Sequence, residues 1–330
     1  MSKLSAPLAI LDRYPPAKRI RKRAKWARVR ASYHAHQRFL GNPSSSRRFV
    51  DDPPELTGAQ GEVLAELRSS GLAIVDFARL IEDDALWQQL SASMESFVDE
   101  AESSQVRTDA PRTKDEYLIR RGRRIRRELE RQGVRPPWPT LSLDDPWLRY
   151  ALSTRILDVV NTYRGMWTKL LDLDQWYTVP FGNQHDRVAS QNWHRDPEDL
   201  HVVKVFTYFS DVDDGAGPFQ YIPESAEGGR YGHHWPWTVT GETYPSPEEL
   251  SRVVPESQIR SARGPAGTVI FCDTSGFHRG GFATSRPRVL SYQTYVSPAS
   301  PLSGRETRKF HVDVASANGS LPESVRFAAI

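Results

Sequence analysis

Cysteine is nearly absent. The chain of 330 residues carries only Cys272, which rules out an intrachain disulfide and argues against a thiolate metal cage. Cys272 lies in TVIFCD, where a small core residue is its expected role. Long hydrophobic runs are missing too. The N-terminal apolar stretch APLAIL is too short for a secretory signal and is followed by charge. No segment approaches the length that spans a bilayer, so a cytoplasmic protein with no membrane span is expected. Zinc-finger and RNP-type motifs, internal repeats and low-complexity tracts are also absent. A nucleic-acid partner is therefore not expected, and a non-catalytic binding protein of that kind would rest on charge alone.

Charge is present but uneven. The formal net charge is +3, yet residues 1–48 hold thirteen Lys or Arg and one acid, Asp12. Residues 1–50 read as a basic N-terminal arm, solvated and partly helical, or a contact surface for an anionic partner. The stretch lacks a convincing apolar stripe. It is expected to be dispensable for chemistry, with the working domain spanning 51–330.

Beyond the arm, Thr57 is placed to cap a helix and Gly71 to stop it, with Val63, Leu64 and Leu67 on the apolar side. LAIVDF (72–77) reads as a strand. Leu86, Leu90, Met94, Phe97 and Val98 give a helical face. A second basic cluster, residues 117–133, has helical spacing and holds Arg120, Arg121, Arg123 and Arg124. Residues 144–165 predict a helix opened by Asp145 and Pro146. From 176 the pattern turns to short Val-, Tyr-, Phe- and Thr-rich runs between Gly, Pro and Asp turns, which suggests a sandwich, barrel or jelly roll. An aromatic, Gly- and Pro-rich insertion at about 226–263 reads as a mobile cover over the site, with Tyr231, Trp235 and Trp237 facing substrate.

Two islands in the second half carry the chemistry. The first is NWHRD, with His194 and Asp196. The second is GTVIFCDTSGFHRGGFATSRPRVLSYQTYV, with His278 and Arg288. If 188–196 is a strand, alternation aims Asn192, His194 and Asp196 to one side and Trp193 and Arg195 to the other. His278 follows the strand TVIFCD and can complete a 2-His-1-carboxylate face, the signature of non-haem Fe(II) oxygenases with open positions. Arg288 shares a strand face with Leu290 and Tyr292 and is suited to grip a carboxylate co-substrate. Arg286 is its rival. Asn192 and Lys204 are further candidates for contact with the co-substrate or a metal ligand. His185, His201, His233 and His234 are poorer candidates for ligands. A catalytic zinc hydrolase or a cupin-like isomerase would use the same triad without Arg288.

These same residues carry a resemblance to the phytanoyl-CoA dioxygenase family of Fe(II)/2-oxoglutarate oxygenases. The matching stretches are LDDPWLRYALSTRILDVVNTYRG, SQNWHRD, KVFTYFSDVDDGAGPFQYIPES and HRGGFATSRPRVLSYQTYV, over roughly residues 60–300. The resemblance implies a mainly β fold with flanking helices, the double-stranded β-helix (jelly roll, cupin-like). It implies Fe(II) held by His194, Asp196 and His278, with 2-oxoglutarate clamped by Arg288 and O2 as co-reactant. The implied reaction hydroxylates or otherwise oxidises a C–H bond of a small-molecule substrate. Asp196 supplies the carboxylate that halogenating relatives lack, which favours hydroxylation. There are departures. Glu224-Ser225-Ala226 stands where Gly-Ser-His is common. The segment between the distal histidine and the arginine is about one residue short, which keeps Arg286 in contention.

Overall fold

The computed structural model describes residues 15–103, 113–122, 139–182, 186–238, 244–304, 308, 310–316 and 321–330. Eleven strands are formed among them: β1 (Leu72–Asp76), β2 (Leu118–Arg120), β3 (Thr140–Ser142), β4 (Lys169–Thr178), β5 (Val203–Tyr208), β6 (Phe219–Tyr221), β7 (Arg260–Ala262), β8 (Thr268–Asp273), β9 (His278–Gly280), β10 (Arg288–Val296) and β11 (His311–Asp313). Six of them make one antiparallel sheet in the order β1-β8-β5-β10-β4-β2. A smaller antiparallel sheet has the order β7-β6-β9, and β3 pairs with β11 apart from both.

Side-chain alternation divides the larger sheet into two faces. On one, Ala73, Val75, Val203, Val205, Val269, Phe271 and Val289 pack beneath the helices. On the other, Phe206, Tyr208, Ile270, Cys272, Leu290 and Tyr292 meet Phe219 and Tyr221 of the smaller sheet. Two sheets closing over a shared interior, with helices outside, is the double-stranded β-helix arrangement. Burying each aliphatic or Phe side chain contributes about 1.5–3 kcal/mol, so the interior is a continuous source of stability on both faces of one sheet. Cys272 is fully buried on the inner face, in its expected core role.

The helices form where the sequence places them. Gly58–Ser70 begins at Thr57 with a reciprocal capping box to Gln60. It ends at Gly71, whose φ of 82° is open to glycine at no steric cost. Asp145 accepts from the amides of Trp147 and Leu148 at the head of Pro146–Ala151. The single helix expected over 144–165 is two. The chain breaks at Leu152 and restarts at Thr154–Arg164 with Ser153 as a new cap, because a serine oxygen competes for the amides of the next turn. The basic cluster differs as well: Leu118–Arg120 is strand β2, paired with Thr178–Trp176 at the sheet edge. Residues 123–133, including Arg123 and Arg124, lie outside the described residues.

The arm is helical over Pro15–His36 and Pro43–Asp51, with a wider turn at Gln37–Gly41 between them. Its later part packs on the body. Gln37 and Tyr33 donate to the buried carboxylate of Asp199. Ser45 donates to the Trp167 carbonyl at 2.5 Å, and Asn42 Oδ1 accepts from the Ala299 amide at 3.0 Å. These contacts are polar, so no apolar stripe announces them. Among the described residues no helix is long and apolar enough to cross a membrane.

Candidate metal centre

His194 does not lie in a strand. Residues Ala189–Gln191 form a 3-10 turn, and the chain then extends only far enough to make one bridge, His194 to His278. The expected strand over 188–196 is thus replaced by a turn and a single pairing. That pairing is the event that matters. The His194 amide donates to the His278 carbonyl at 3.1 Å, and the His278 amide returns the bond at 3.0 Å. Residues in such a reciprocal pair sit directly opposite, with side chains on the same face. The two imidazole centroids are accordingly 4.2 Å apart. The Asp196 amide donates to the Thr274 carbonyl at 2.9 Å, which holds the carboxylate to the same face.

The three side chains converge. One donor atom from each of His194, Asp196 and His278 lies within 4.8 Å of the others. Asp196 Oδ1 is 3.9 Å from His194 Nε2, and Oδ2 is 3.5 Å from His278 Nε2. Each Nδ1 faces a backbone carbonyl, that of Asn192 at 2.8 Å and of Gly276 at 3.0 Å. Nδ1 therefore carries the proton and donates it, leaving the Nε2 lone pair for a metal. Burial, with the neighbouring His278, pushes the His194 pKa down to about 3, and burial also lowers that of His278. Both rings are neutral at ordinary pH, the form that coordinates. Burial opposes the charge on Asp196, but the Lys204 ammonium and the two imidazoles hold its carboxyl well below the usual range. Two neutral nitrogens and a carboxylate on one face fit a hexacoordinate divalent iron with open positions.

Arg288 opens β10 opposite Thr178, and its side chain is buried on the inner face. One terminal nitrogen donates to the Gly217 carbonyl, while Nε has no hydrogen-bond partner. Among the described residues no carboxylate pairs with it. A Cβ placed on Gly280 would come within 3.1 Å of its other terminal nitrogen, so the glycine keeps that side open. A buried guanidinium with spare donors fits a carboxylate co-substrate. Arg286 is half exposed and ion-paired with Asp213 on the surface.

The remaining candidates divide. Asn192 turns its amide to the Arg187 carbonyl at 3.0 Å and is used locally. Lys204 points inward from β5 and reaches Asp196 Oδ2 at 2.6 Å. His201 contacts Asp273, the rings of His233 and His234 lie tilted with centres 4.0 Å apart, and His185 lies outside the described residues.

Alternation aims Arg195 away from the triad, and its side chain is buried among the loops around it. Its guanidinium donates to the carbonyls of Ser225, Ser275, Trp235 and His234 and lies 3.9 Å from the Phe277 ring centre. Its placement between His194 and Asp196 was visible in the sequence, but four scattered carbonyls leave no pattern there. Two aromatic side chains of the insertion are packed inward. Tyr231 and Trp237 are buried, Trp237 stacks on Tyr33 of the arm at 5.1 Å, and Trp235 meets Phe277 edge-on. Its last residues, Arg260–Ala262, belong to β7. Tyr244 is the exposed aromatic that approaches the site, with its ring 5.9 Å from that of His194.

The profile of one protein family, phytanoyl-CoA dioxygenase (PhyH), matches residues 69–289. No curated protein matches the sequence. Solved structures similar to the chain include apo EctD from S. alaskensis, at 17% identity over 79% of this chain and 90% of that one, TM-score 0.49. Another is the epimerase SnoN in complex with Fe3+, alpha ketoglutarate and nogalamycin RO, at 17% identity over 73% and 84%, TM-score 0.46. A third is HygX from Streptomyces hygroscopicus with nickel and 2-oxoglutarate bound, at 16% identity over 74% and 88%, TM-score 0.44.

Proposed function

The chain belongs to the phytanoyl-CoA dioxygenase family of iron- and 2-oxoglutarate-dependent enzymes, and from that premise we propose that it hydroxylates a C–H bond of a small organic substrate. His194, Asp196 and His278 hold the iron, and Arg288 clamps the distal carboxylate of 2-oxoglutarate. When bound, Fe(II) with 2-oxoglutarate and O2 supplies the oxidising chemistry, with 2-oxoglutarate leaving as succinate and CO2. The chain's own residues do the rest. The carbonyls of Asn192 and Gly276 fix both imidazoles with Nε2 inward. Arg288, seated among inner-face side chains, gives the co-substrate one orientation. Phe206, Phe219, Leu290 and Tyr292 keep the interior dry on the sheet side.

The observation that carries this reading is the pairing of a buried two-histidine, one-aspartate cluster with a buried arginine that has no carboxylate partner among the described residues. A zinc hydrolase, or a cupin-like isomerase that takes no 2-oxoglutarate, has no use for the second feature. The carboxylate at Asp196 favours hydroxylation over halogenation.

The test is anaerobic loading with Fe(II), addition of 2-oxoglutarate and O2, and measurement of succinate against candidate substrates. Succinate formation that requires both iron and 2-oxoglutarate, and is abolished in His278→Ala, is the expected outcome. Full turnover by His278→Ala, or turnover independent of 2-oxoglutarate, would remove the proposal. Oxygen incorporated into product separates hydroxylation from other oxidations.

A further inference from the structure

Along β5 the inner face of the larger sheet continues in Phe206 and Tyr208, which share that face with Ile270, Cys272, Leu290 and Tyr292. Lys204 stands in the same row, between Cys272 on one neighbouring strand and Thr294 on the other. A lysine in such a place costs desolvation unless its charge is met. Here it is met by two carboxylates of the triad loop. Nζ lies 2.6 Å from Asp196 Oδ2 and 3.4 Å from Glu198 Oε1. The ammonium also lies 5.9 Å from the Tyr292 ring centre, and Tyr292 donates to Asp172 at 2.8 Å. The ammonium thus has a fixed seat, defined from two loop positions and from two strands.

A carboxylate beside two imidazoles has two ways to meet a metal, through one oxygen or through both. Chelation by both would take a coordination position that the co-substrate needs. The ammonium on Oδ2 decides between them. We propose that Lys204 is a positioning residue: it claims Oδ2 of Asp196, so that the carboxylate offers the metal Oδ1 alone, and Glu198 steadies the ammonium in turn. This inference rests on the triad reading above, and it differs from a role for Lys204 in holding 2-oxoglutarate. It also explains why the strand carries a lysine rather than another aromatic at this point. A residue serving only to fill the interior would need no charge.

Two variants of the full chain separate these roles. Lys204→Met removes charge and donor at similar length, and Lys204→Gln keeps a donor without charge. Each is titrated in oxygen-free buffer with Co(II) alone, then, at saturating Co(II), with 2-oxoglutarate. Thermal unfolding confirms that each variant is folded, and Lys204→Gln carries the test if Lys204→Met is not. Loss of a residue that orients a metal ligand typically weakens metal binding about 10–100-fold. Lys204→Met is expected to fall in that range and Lys204→Gln to lose less. The affinity for 2-oxoglutarate at saturating metal should fall as well in Lys204→Met, because a carboxylate chelating through both oxygens occupies a position that the co-substrate needs. The visible absorption of bound Co(II) should shift in Lys204→Met, because the freed oxygen alters the coordination; a purely structural lysine would leave it unmoved. Unchanged or tighter Co(II) binding in both variants overturns the inference. So does a large loss of 2-oxoglutarate affinity with metal binding intact, which would return Lys204 to the co-substrate. Failure of the wild-type protein to bind Co(II) would overturn the triad reading itself, and this inference with it.

Discussion

Two arginines two positions apart meet opposite surroundings. Arg286 lies outside β10, half in solvent, against Asp213. Such surface pairs contribute about 0–1 kcal/mol. Arg288 is the first residue of β10, with its guanidinium enclosed and its Nε without a hydrogen-bond partner. A planar fork at a buried carboxylate site is poorly replaced by a single ammonium. Arg288→Lys is therefore expected to raise the 2-oxoglutarate concentration needed for half-saturation by about tenfold or more, in line with a charge-assisted bond of about 1.5–3 kcal/mol. Arg286→Lys should leave it within about twofold. Fluorescence titration of the metal-loaded protein with 2-oxoglutarate measures both, and the reverse ranking would transfer the clamp to Arg286. The sequence named both arginines; the structure buries Arg288 and leaves Arg286 half exposed.

At the scale of elements, the arm and the insertion meet each other through Tyr33 and Trp237. Asp199, three residues past Asp196, has no exposed surface and collects Tyr33, Gln37 and the amides of Leu200 and Ser297. Gln37→Ala should lower stability by about 1–3 kcal/mol, the cost of removing a buried hydrogen-bond partner. A chain lacking residues 1–48 should unfold at lower urea and bind Co(II) less well than the full chain. Equal midpoints and equal metal affinity would show that the arm only rests on the body. In the insertion, Trp237 is a buried anchor stacked on Tyr33, whereas Tyr244 is exposed beside His194. Trp237→Ala is expected to cost about 3–5 kcal/mol, as for a large buried aromatic. Tyr244→Ala should leave stability within about 0.5 kcal/mol, as for an exposed site, and instead alter the ratio of product to succinate. Urea midpoints and that ratio, measured on both variants, distinguish anchor from cover. Selective uncoupling by Trp237→Ala with stability intact would restore the tryptophan as the substrate-facing residue.

The whole molecule builds its metal site from segments that only folding brings together: the turn after Gln191, the end of β8, β9 and the start of β10. Such a site binds the folded chain and not the unfolded one. Co(II) with 2-oxoglutarate at about one hundred times the dissociation constant should therefore add about 2.7 kcal/mol to stability. The shift in the urea midpoint measures it. His278→Ala should show almost none of the shift, and an equal shift in that variant would mean that the metal binds elsewhere.

The sequence by itself determined the class of fold and the iron- and 2-oxoglutarate-dependent family. Residue types at set spacing, the H-x-D and the distal histidine, follow from what a metal requires. Alternating strands, the Thr57 cap and the Gly71 stop follow from local backbone preference, and local preference is legible along a chain. Only the tertiary structure decided the rest. It made the first island a turn with one reciprocal pair to His278, aimed Lys204 at Asp196, put Arg195 at the centre of four carbonyls and seated the arm on Asp199. Each of these joins residues distant in sequence through single polar contacts. Such contacts have no period, and their energy exists only once burial has removed the competing water.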